Sequence, residues 1–466
     1  MNEHEGRYMN KLVLINPVNP RRIGLTVNVS SRFPPLGLGI VAALTPDDWD
    51  VEIIDENFEP FCYKKADLVG LTAFTASVTR AYEIADVYRQ HSIPTVLGGI
   101  HASMRPEEAL QYVDTVVIGE AEGVWGKVIA DFEAGTMQKV YQGEFFDLKE
   151  MPQPQRDLFH PGYMFGSIQT ARGCPMDCEF CSVTAFNGRL YRQRPVEDVL
   201  DELETIPQKR VFFVDDNIIG YGEKAAERAV TLFKGIIERK IRKNWFCQAS
   251  MNFADSKDVL TYAAESGCRM VFLGVEAESA DALQEVNKSL NAKMIEKEEA
   301  TYEETFRRIN EHSIAVLGAF IYGMDTDTPE KLGHRTDYIL KSSVDVMQVT
   351  HLTPLPGTRL FDKLKEENRL LYTSFPADWD HYDMTEVIHR PLSTGVQELT
   401  ECMSESVRRL YSRKTLWRKF CKTWRATRSF TTAMWAYTSN KNYRNVAFGT
   451  LGIEPVRTSK NSGNNL

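Results

Sequence analysis

Three thiols within eight residues carry the most specific chemistry in the chain: Cys174, Cys178 and Cys181, spaced C-x3-C-x2-C in the segment Ser167-Ile-Gln-Thr-Ala-Arg-Gly-Cys174-Pro-Met-Asp-Cys178-Glu-Phe-Cys181. Three thiolates can hold three irons of a cubane cluster and leave the fourth iron open to a small-molecule ligand. A structural zinc site would want a fourth Cys or His at compact spacing, and none follows Cys181 nearby. A disulfide framework is weaker still, because three clustered cysteines cannot all pair and the N-terminus does not read as a signal peptide. The cluster reading therefore leads.

The elements that must position this loop are short apolar runs alternating with helical patterns. In the first third these are Lys11–Val18, a helix from Pro34 to Leu44, Val51–Asp55, Leu68–Thr72, a helix over 77–90, Pro94–Gly99, a helix near 106–112, and Thr115–Gly119. Strands alternating with helices imply right-handed crossovers and a doubly wound parallel sheet, which binds ligands at the carboxyl ends of its strands. The residues at those ends are small or polar: Asn16, Thr72, Thr75, Ser77, Gly98, Gly99, His101, Gly119 and Glu120. No G-x-G-x-x-G follows the first strand, so a nicotinamide-type fingerprint is absent.

Residues 142–161 lose periodicity and gain prolines, which marks a linker. From Gly166 six further strands follow, each with a helical pattern after it: 166–172, Val211–Asp215, Trp245–Ser250, Met270–Val275, Val316–Gly323 and Val346–Leu352. Six such units imply a partial (β/α)6 barrel of TIM type, two units short, with its chemistry at the carboxyl ends of the strands. Asp215, Asp216 and Asn217 stand after the second strand, Ser250 and Asn252 after the third, Glu276 after the fourth, Gly323 after the fifth and His351 after the sixth. Residues 288–305 read as a helix in an extended connection with no assigned role.

The cluster loop resembles that of the radical SAM superfamily. Pro34-Pro-Leu-Gly, Gly98-Gly-Ile-His-Ala and Gly119-Glu-Ala-Glu upstream are similar to the cobalamin-binding domain that precedes many radical SAM domains. Asp215-Asp-Asn217, in place of the commoner G-G-E, narrows the resemblance to the branch that includes hopanoid methylases and the anaerobic magnesium-protoporphyrin ester cyclase. The resemblance implies three cofactors: a [4Fe-4S] cluster on Cys174, Cys178 and Cys181, S-adenosylmethionine on its open iron, and cobalamin on the upstream sheet. By the same resemblance, Asp216 and Asn217 contact the amino group of S-adenosylmethionine, Ser250 and Glu276 its ribose or carboxylate, and Gly323 flanks the adenine. The D-x-H-x-x-G motif is absent, which implies cobalamin without a protein histidine on cobalt. His101 then reads either as a contact to the corrin rim or nucleotide tail, or as a turn-stabilising side chain.

The activity implied is reductive cleavage of S-adenosylmethionine to a 5'-deoxyadenosyl radical, hydrogen abstraction from an unactivated carbon, and methyl transfer through methylcobalamin. The alternative is oxidative cyclisation or carbon-carbon bond formation without methyl transfer. Expected partners are a small-molecule or lipid-like substrate and an external electron donor such as flavodoxin or ferredoxin.

At 466 residues the chain is long for one domain. The divisions are a cobalamin-binding domain over 10–141, the linker, a radical SAM partial barrel over 162–365, a helical segment over 366–450 and a disordered tail over 451–466. The formal charge of -9 argues against nucleic-acid binding. Eight cysteines without a secretory segment point to a reducing, cytoplasmic setting. The sign of charge reverses locally in Arg413–Arg428, which interleaves basic and aromatic side chains. Such a helix either packs Leu416, Trp417, Phe420 and Trp424 onto the barrel, the reading its spacing favours, or lies on an anionic membrane surface.

Overall fold

The computed structural model describes residues 9–21, 32–297 and 302–453, so the tail expected over 451–466 lies mostly outside the described residues. The described residues form two compact units, one drawn from 9–21, 34–163 and 374–380, the other from 32–33, 164–373 and 381–453.

The first unit runs β1 (Asn10–Asn16), α1 (Leu36–Ala43), β2 (Trp49–Asp55), β3 (Leu68–Thr72), α2 (Val78–Gln90), β4 (Thr95–Gly98), α3 (Ile100–Met104), α4 (Pro106–Ala109), β5 (Thr115–Ile118), α5 (Trp125–Glu133) and β6 (Val140–Gln142). The sheet is parallel throughout, in the order β2-β1-β3-β4-β5-β6. Its apolar strands read as continuous runs because both faces are covered: Leu12, Val13, Leu14 and Ile15 are all buried. The order reverses between β1 and β3, so the crevice at their carboxyl ends is the topological switch point. The proline-bearing stretch after β6 packs onto this unit, with Gln155 N donating to Gly39 O and Phe58 stacked on His160 at 4.0 Å. The short excursion 374–380 joins it too: Trp379 is fully buried and its Nε1 donates to both Glu108 oxygens at 2.9 and 3.0 Å.

The second unit runs β7 (Phe165–Ile168), β8 (Ala171–Arg172), α6 (Ser182–Asn187), β9 (Arg192–Gln193), α7 (Val196–Thr205), β10 (Arg210–Phe213), α8 (Glu223–Glu238), β11 (Asn244–Ala249), α9 (Lys257–Glu265) and β12 (Cys268–Glu276). It continues with α10 (Ala280–Glu285), α11 (Ser289–Lys297), α12 (Tyr302–Glu311), β13 (Ala315–Tyr322), α13 (Pro329–Lys341), β14 (Val346–His351), α14 (Arg359–Glu366), α15 (Val396–Leu410), α16 (Arg413–Thr427) and α17 (Phe430–Thr450). Six parallel strands line up as β14-β13-β12-β11-β10-β7, leaving β7 and β14 as the edges of a partial barrel.

Helix α17 bonds to the edge strand β14 and packs against an apolar cluster drawn from β7, β11, β12 and β13. Asn440 donates from Nδ2 to Asp345 O at 2.8 Å and accepts Met347 N at 3.0 Å, satisfying backbone groups along β14. Trp435 lies 5.8 Å from Phe165 on β7 and 5.9 Å from Phe246 on β11, in one apolar cluster with Met270, Leu317 and Ala436.

Within 288–305 the described residues fall mainly in α11 and α12, with 298–301 outside the described residues. One expectation needs correction. In α16 only half of the expected packing face is inside: Leu416 and Phe420 are buried, whereas Trp417 and Trp424 stand 62% and 49% exposed. Leu416 and Phe420 are four residues apart on one stripe, and the two tryptophans, seven apart, share a neighbouring stripe that faces out.

Candidate active site

The cysteine loop leaves β8 through Gly173, whose φ of 86° and 2.3 Å approach of a hypothetical Cβ to Leu190 O leave room for no side chain. Asp216 accepts the Gly173 N–H at 3.2 Å and an Asn187 Nδ2–H at 3.0 Å, so the second-strand turn and the cysteine loop are tied together. Asp215, fully buried, accepts from Thr170 N at 2.5 Å, Thr170 Oγ1 at 2.6 Å and Ala171 N at 3.1 Å. Burial still pushes its carboxyl up to about 6. Farther along the loop, Asn287 donates to Asp177 O at 2.7 Å, Arg359 holds the Asp177 carboxylate at 2.8 Å, and Glu179 N donates to Val286 O.

Cys178 is 8% exposed, and burial pushes its thiol up to about 11; Cys174 is raised by the same cause. Lys288 opposes that shift at both thiols. Its ammonium is paired with Glu276 at 2.8 Å and is itself held charged, against burial, by Glu276 and the neighbouring cysteines. Glu276 ends β12 with φ of 63°, a conformation uncommon for a residue with a side chain. Sequence reasoning named Glu276 but not Lys288. The residues lie twelve apart on different elements, and no local period links them.

Among the described residues no three His, Cys, Asp or Glu side chains converge as on a single ion. A cubane does not ask for that, since each thiolate binds a different iron. Three sulfurs on one eight-residue loop beside a buried cation fit such a cluster, and Cys174, Cys178 and Cys181 are the residues that would hold it.

The other strand ends of the second unit meet as well. Asn217 Nδ2 donates to Ser250 Oγ at 3.1 Å, and Asn252 Nδ2 to Gly220 O at 3.1 Å. Asn217 Oδ1, Asn252 Oδ1 and His351 Nδ1 are buried acceptors or donors with no protein partner. Orphaned polar atoms at three strand ends fit a polar ligand such as S-adenosylmethionine, because burying them unpaired costs about 1–3 kcal/mol each. Gly323, at the end of β13 with φ of 103°, donates to Asp327 Oδ2 at 2.9 Å and accepts from His389 Nε2 at 3.0 Å.

In the first unit Asn16 donates to Asp55 at 2.9 Å and Ser77 to Phe74 O at 3.2 Å. Gly99, with φ of 92°, passes so close to Thr72 that a Cβ would sit 2.7 Å from Thr72 Oγ1. Gly119, with φ of 77°, crosses Gly143 in the same way, and the Glu120 carboxylate accepts Phe146 N at 2.7 Å. A Cβ on Gly98 would meet only Val117, at 4.0 Å, and Phe74, between Thr72 and Thr75, is 77% exposed. An exposed ring after β3 and an uncrowded glycine at the end of β4 fit a broad, flat cofactor such as cobalamin. The residues that would hold it are the Phe74–Ser77 turn, Gly98 and Gly99.

His101 is fully buried, with Nδ1 3.2 Å from Thr75 Oγ1, Nε2 3.3 Å from Glu108, and its ring edge-on to Trp379 at 5.1 Å. Both ring nitrogens thus have protein partners, an arrangement that stabilises the turn. Trp379 carries no local signal in the sequence that links it to this turn.

Comparison with known proteins finds two family matches along the chain. Residues 22–128 match the B12 binding domain family and residues 168–339 the radical SAM superfamily. The chain is 28% identical, over 87% of its length and 88% of the relative's, to the bacteriochlorophyllide d C-12(1)-methyltransferase of Chlorobaculum tepidum. It is 29% identical to the hopanoid C-2 methylase of Rhodopseudomonas palustris over 74% of this chain and 67% of that one. It is 26% identical to an anaerobic magnesium-protoporphyrin IX monomethyl ester cyclase of Cereibacter sphaeroides over 78% and 62%. In fold it is similar to the cobalamin-dependent S-adenosylmethionine radical enzyme OxsB, with a TM-score of 0.69 at 15% identity over 96% of this chain and 75% of that one.

Proposed function

We infer that this chain, a cobalamin-binding radical SAM enzyme, is a C-methyltransferase acting on an apolar small molecule. The observation that carries the reading is the pairing of both cofactor modules on one chain whose relatives, matched over most of their length, are methyltransferases of a pigment and a hopanoid. When bound, the cluster with S-adenosylmethionine supplies a hydrogen-abstracting adenosyl radical, and cobalamin supplies a methyl group.

The chain's own residues do the positioning. Cys174, Cys178 and Cys181 would hold three irons of the cluster on a loop pinned by Asp215, Asp216 and Asn287. The orphaned Asn217 and Asn252 oxygens would accept amino and hydroxyl hydrogens of S-adenosylmethionine, with the Gly323 turn, held by Asp327 and His389, flanking the adenine. Lys288 keeps a cation beside the thiolates and orients the Glu276 carboxylate. No side-chain acid or base is needed for a radical abstraction. Electrons enter from an external donor such as flavodoxin or ferredoxin.

The cyclase relative favours a second outcome, ring closure without methyl transfer. Anaerobic reconstitution with cobalamin, iron, sulfide and a reductant, followed by mass spectrometry, separates the two. Methyl transfer yields a product heavier by one methylene together with S-adenosylhomocysteine and 5'-deoxyadenosine. Deoxyadenosine without S-adenosylhomocysteine would overturn the methyltransferase reading.

A further inference from the structure

Helix α16 packs one side inward by an unusual device. Lys419, 2% exposed, donates to the carbonyls of Ile339, Ser342 and Val344 at 2.8–2.9 Å, and Lys422 and Arg418 donate to those of Ser342 and Leu340. These bonds satisfy the free carbonyls at the end of α13, where a helix carries partial negative charge. That accounts for three of the basic residues of α16. It leaves Arg413, Lys414, Arg425 and the helix-ending Arg428, all exposed; among the described residues none of the four side chains has an ion pair or a hydrogen bond.

The same outer stripe carries Trp417 and Trp424, continued by Phe430 at 56% exposure. The three rings are not mobile ornaments on the surface. They stand on the buried Phe420, with centroids 5.3 Å from Trp417, 6.3 Å from Trp424 and 6.1 Å from Phe430. Large exposed aromatics set in a contiguous patch mark an interaction site. Charge decides the kind of partner. Between Glu405 and Glu454 the sequence contains no Asp or Glu, whereas the chain as a whole carries a formal charge of -9. In a chain that is acidic as a whole, this acid-free basic stretch is therefore suited to an anionic partner.

We propose that the outer face of α16, with Phe430, docks the enzyme onto an anionic lipid bilayer, the indoles entering the headgroup region and Arg413, Lys414, Arg425 and Arg428 meeting lipid phosphates. Indole rings settle at the membrane-water interface because one edge is apolar and one polar, and guanidinium groups pair phosphates bidentately. Among the described residues no helix is long and apolar enough to cross a membrane, so the contact is peripheral. The proposal stands independently of the methyl-transfer reading, since it rests on this surface and not on the cofactor sites.

The test is co-sedimentation of the full chain with vesicles of phosphatidylcholine and phosphatidylglycerol in equal parts, against vesicles of phosphatidylcholine alone. Binding is expected to the anionic vesicles and to weaken with added salt. Trp417→Ala with Trp424→Ala is expected to weaken partitioning at least about tenfold. Arg413→Gln with Lys414→Gln and Arg425→Gln is expected to weaken it on the order of a hundredfold. All five positions are exposed, so circular dichroism and melting should match the parent. Failure of the parent to bind anionic vesicles overturns the proposal, as does equal binding by the variants. A dimer in sedimentation velocity that the double tryptophan variant dissolves would also overturn it, assigning the patch to a second copy.

Discussion

Arg335→Met is the most diagnostic perturbation of the second unit. Arg335 and Asp327 are both fully buried, and the guanidinium grips the carboxylate at two points, Nη1 to Oδ2 at 2.9 Å and Nη2 to Oδ1 at 2.8 Å. Nε reaches Glu278 at 2.9 Å and Nη1 also donates to Ile321 O at 2.7 Å. Asp327 in turn accepts the backbone N–H groups of Gly323 and Met324 at 2.9 and 3.0 Å, so this pair holds the turn at the end of β13. Methionine fills most of the volume but leaves the Asp327 charge buried with two backbone donors. Breaking a buried pair from one side costs about 3–5 kcal/mol. At about 2.1 cal/mol/K per residue, a unit of roughly 300 residues loses about 1.5 °C per kcal/mol, so its unfolding midpoint should fall by roughly 5–8 °C.

Because two units can unfold separately, hydrogen exchange of β13 amides beside calorimetry is the proper readout. Adding Asp327→Asn to Arg335→Met removes the stranded charge, so the double variant should be less destabilised than the sum of the two singles, with a coupling on the order of 1–3 kcal/mol. A single variant within about 1 kcal/mol of the parent, or strict additivity, would refute the reasoning.

Cys178→Ala should abolish the broad visible absorbance of the reconstituted cluster and all 5'-deoxyadenosine formation; product at parental level would sink the mechanism. With both His101 nitrogens occupied and no D-x-H-x-x-G in the sequence, electron paramagnetic resonance of the Co(II) state should lack hyperfine coupling to a protein imidazole, and its presence would refute that assignment. Burial holds His351 down to about 3 and His389 to about 4, so below the unfolded value near 6.5 the unfolded chain binds more protons than the folded one. Stability supplied by these neutral rings is complete above about pH 6.5 and is lost as the pH falls, by up to about 1.4 kcal/mol per pH unit for each. Acid titration of His351→Gln with His389→Gln should show a shallower fall than the parent, and an identical slope would contradict it.

Strand positions were legible in the sequence because parallel strands buried on both faces leave uninterrupted apolar runs, and those such as Leu68–Thr72 fall where the runs do. The cysteine loop was legible because three ligands lie on one short stretch. What stayed hidden depends on distant partners. Lys288 reads as a surface lysine until Glu276 is found opposite it, and Trp379 until Glu108 and His101 are. Trp417 and Trp424 were misjudged because their spacing from Leu416 and Phe420 spans two adjoining stripes of a helix, of which only one is covered.

Helix α17 falls inside the helical segment expected over 366–450, but which side it turns inward was hidden for a different reason, and it ties the C-terminal segment to the barrel. An ordinary surface helix declares itself by a one-sided apolar stripe. In α17 the inward side mixes Trp435 and Ala436, which meet the ring cluster of Phe165 and Phe246, with Asn440 and Tyr443, which bond to backbone and side chain of β14. Polar residues face inward because what they cover is not only apolar: β14 is an edge strand whose peptide groups have lost the neighbour a closed barrel would give them. Asn440, with one donor and one acceptor, meets two of those groups where a leucine would leave both unpaired. Helix α17 is accordingly part of the barrel's own hydrogen-bond and packing balance, and the polar residues that obscured its inward side in the sequence are the ones that meet the open groups of β14.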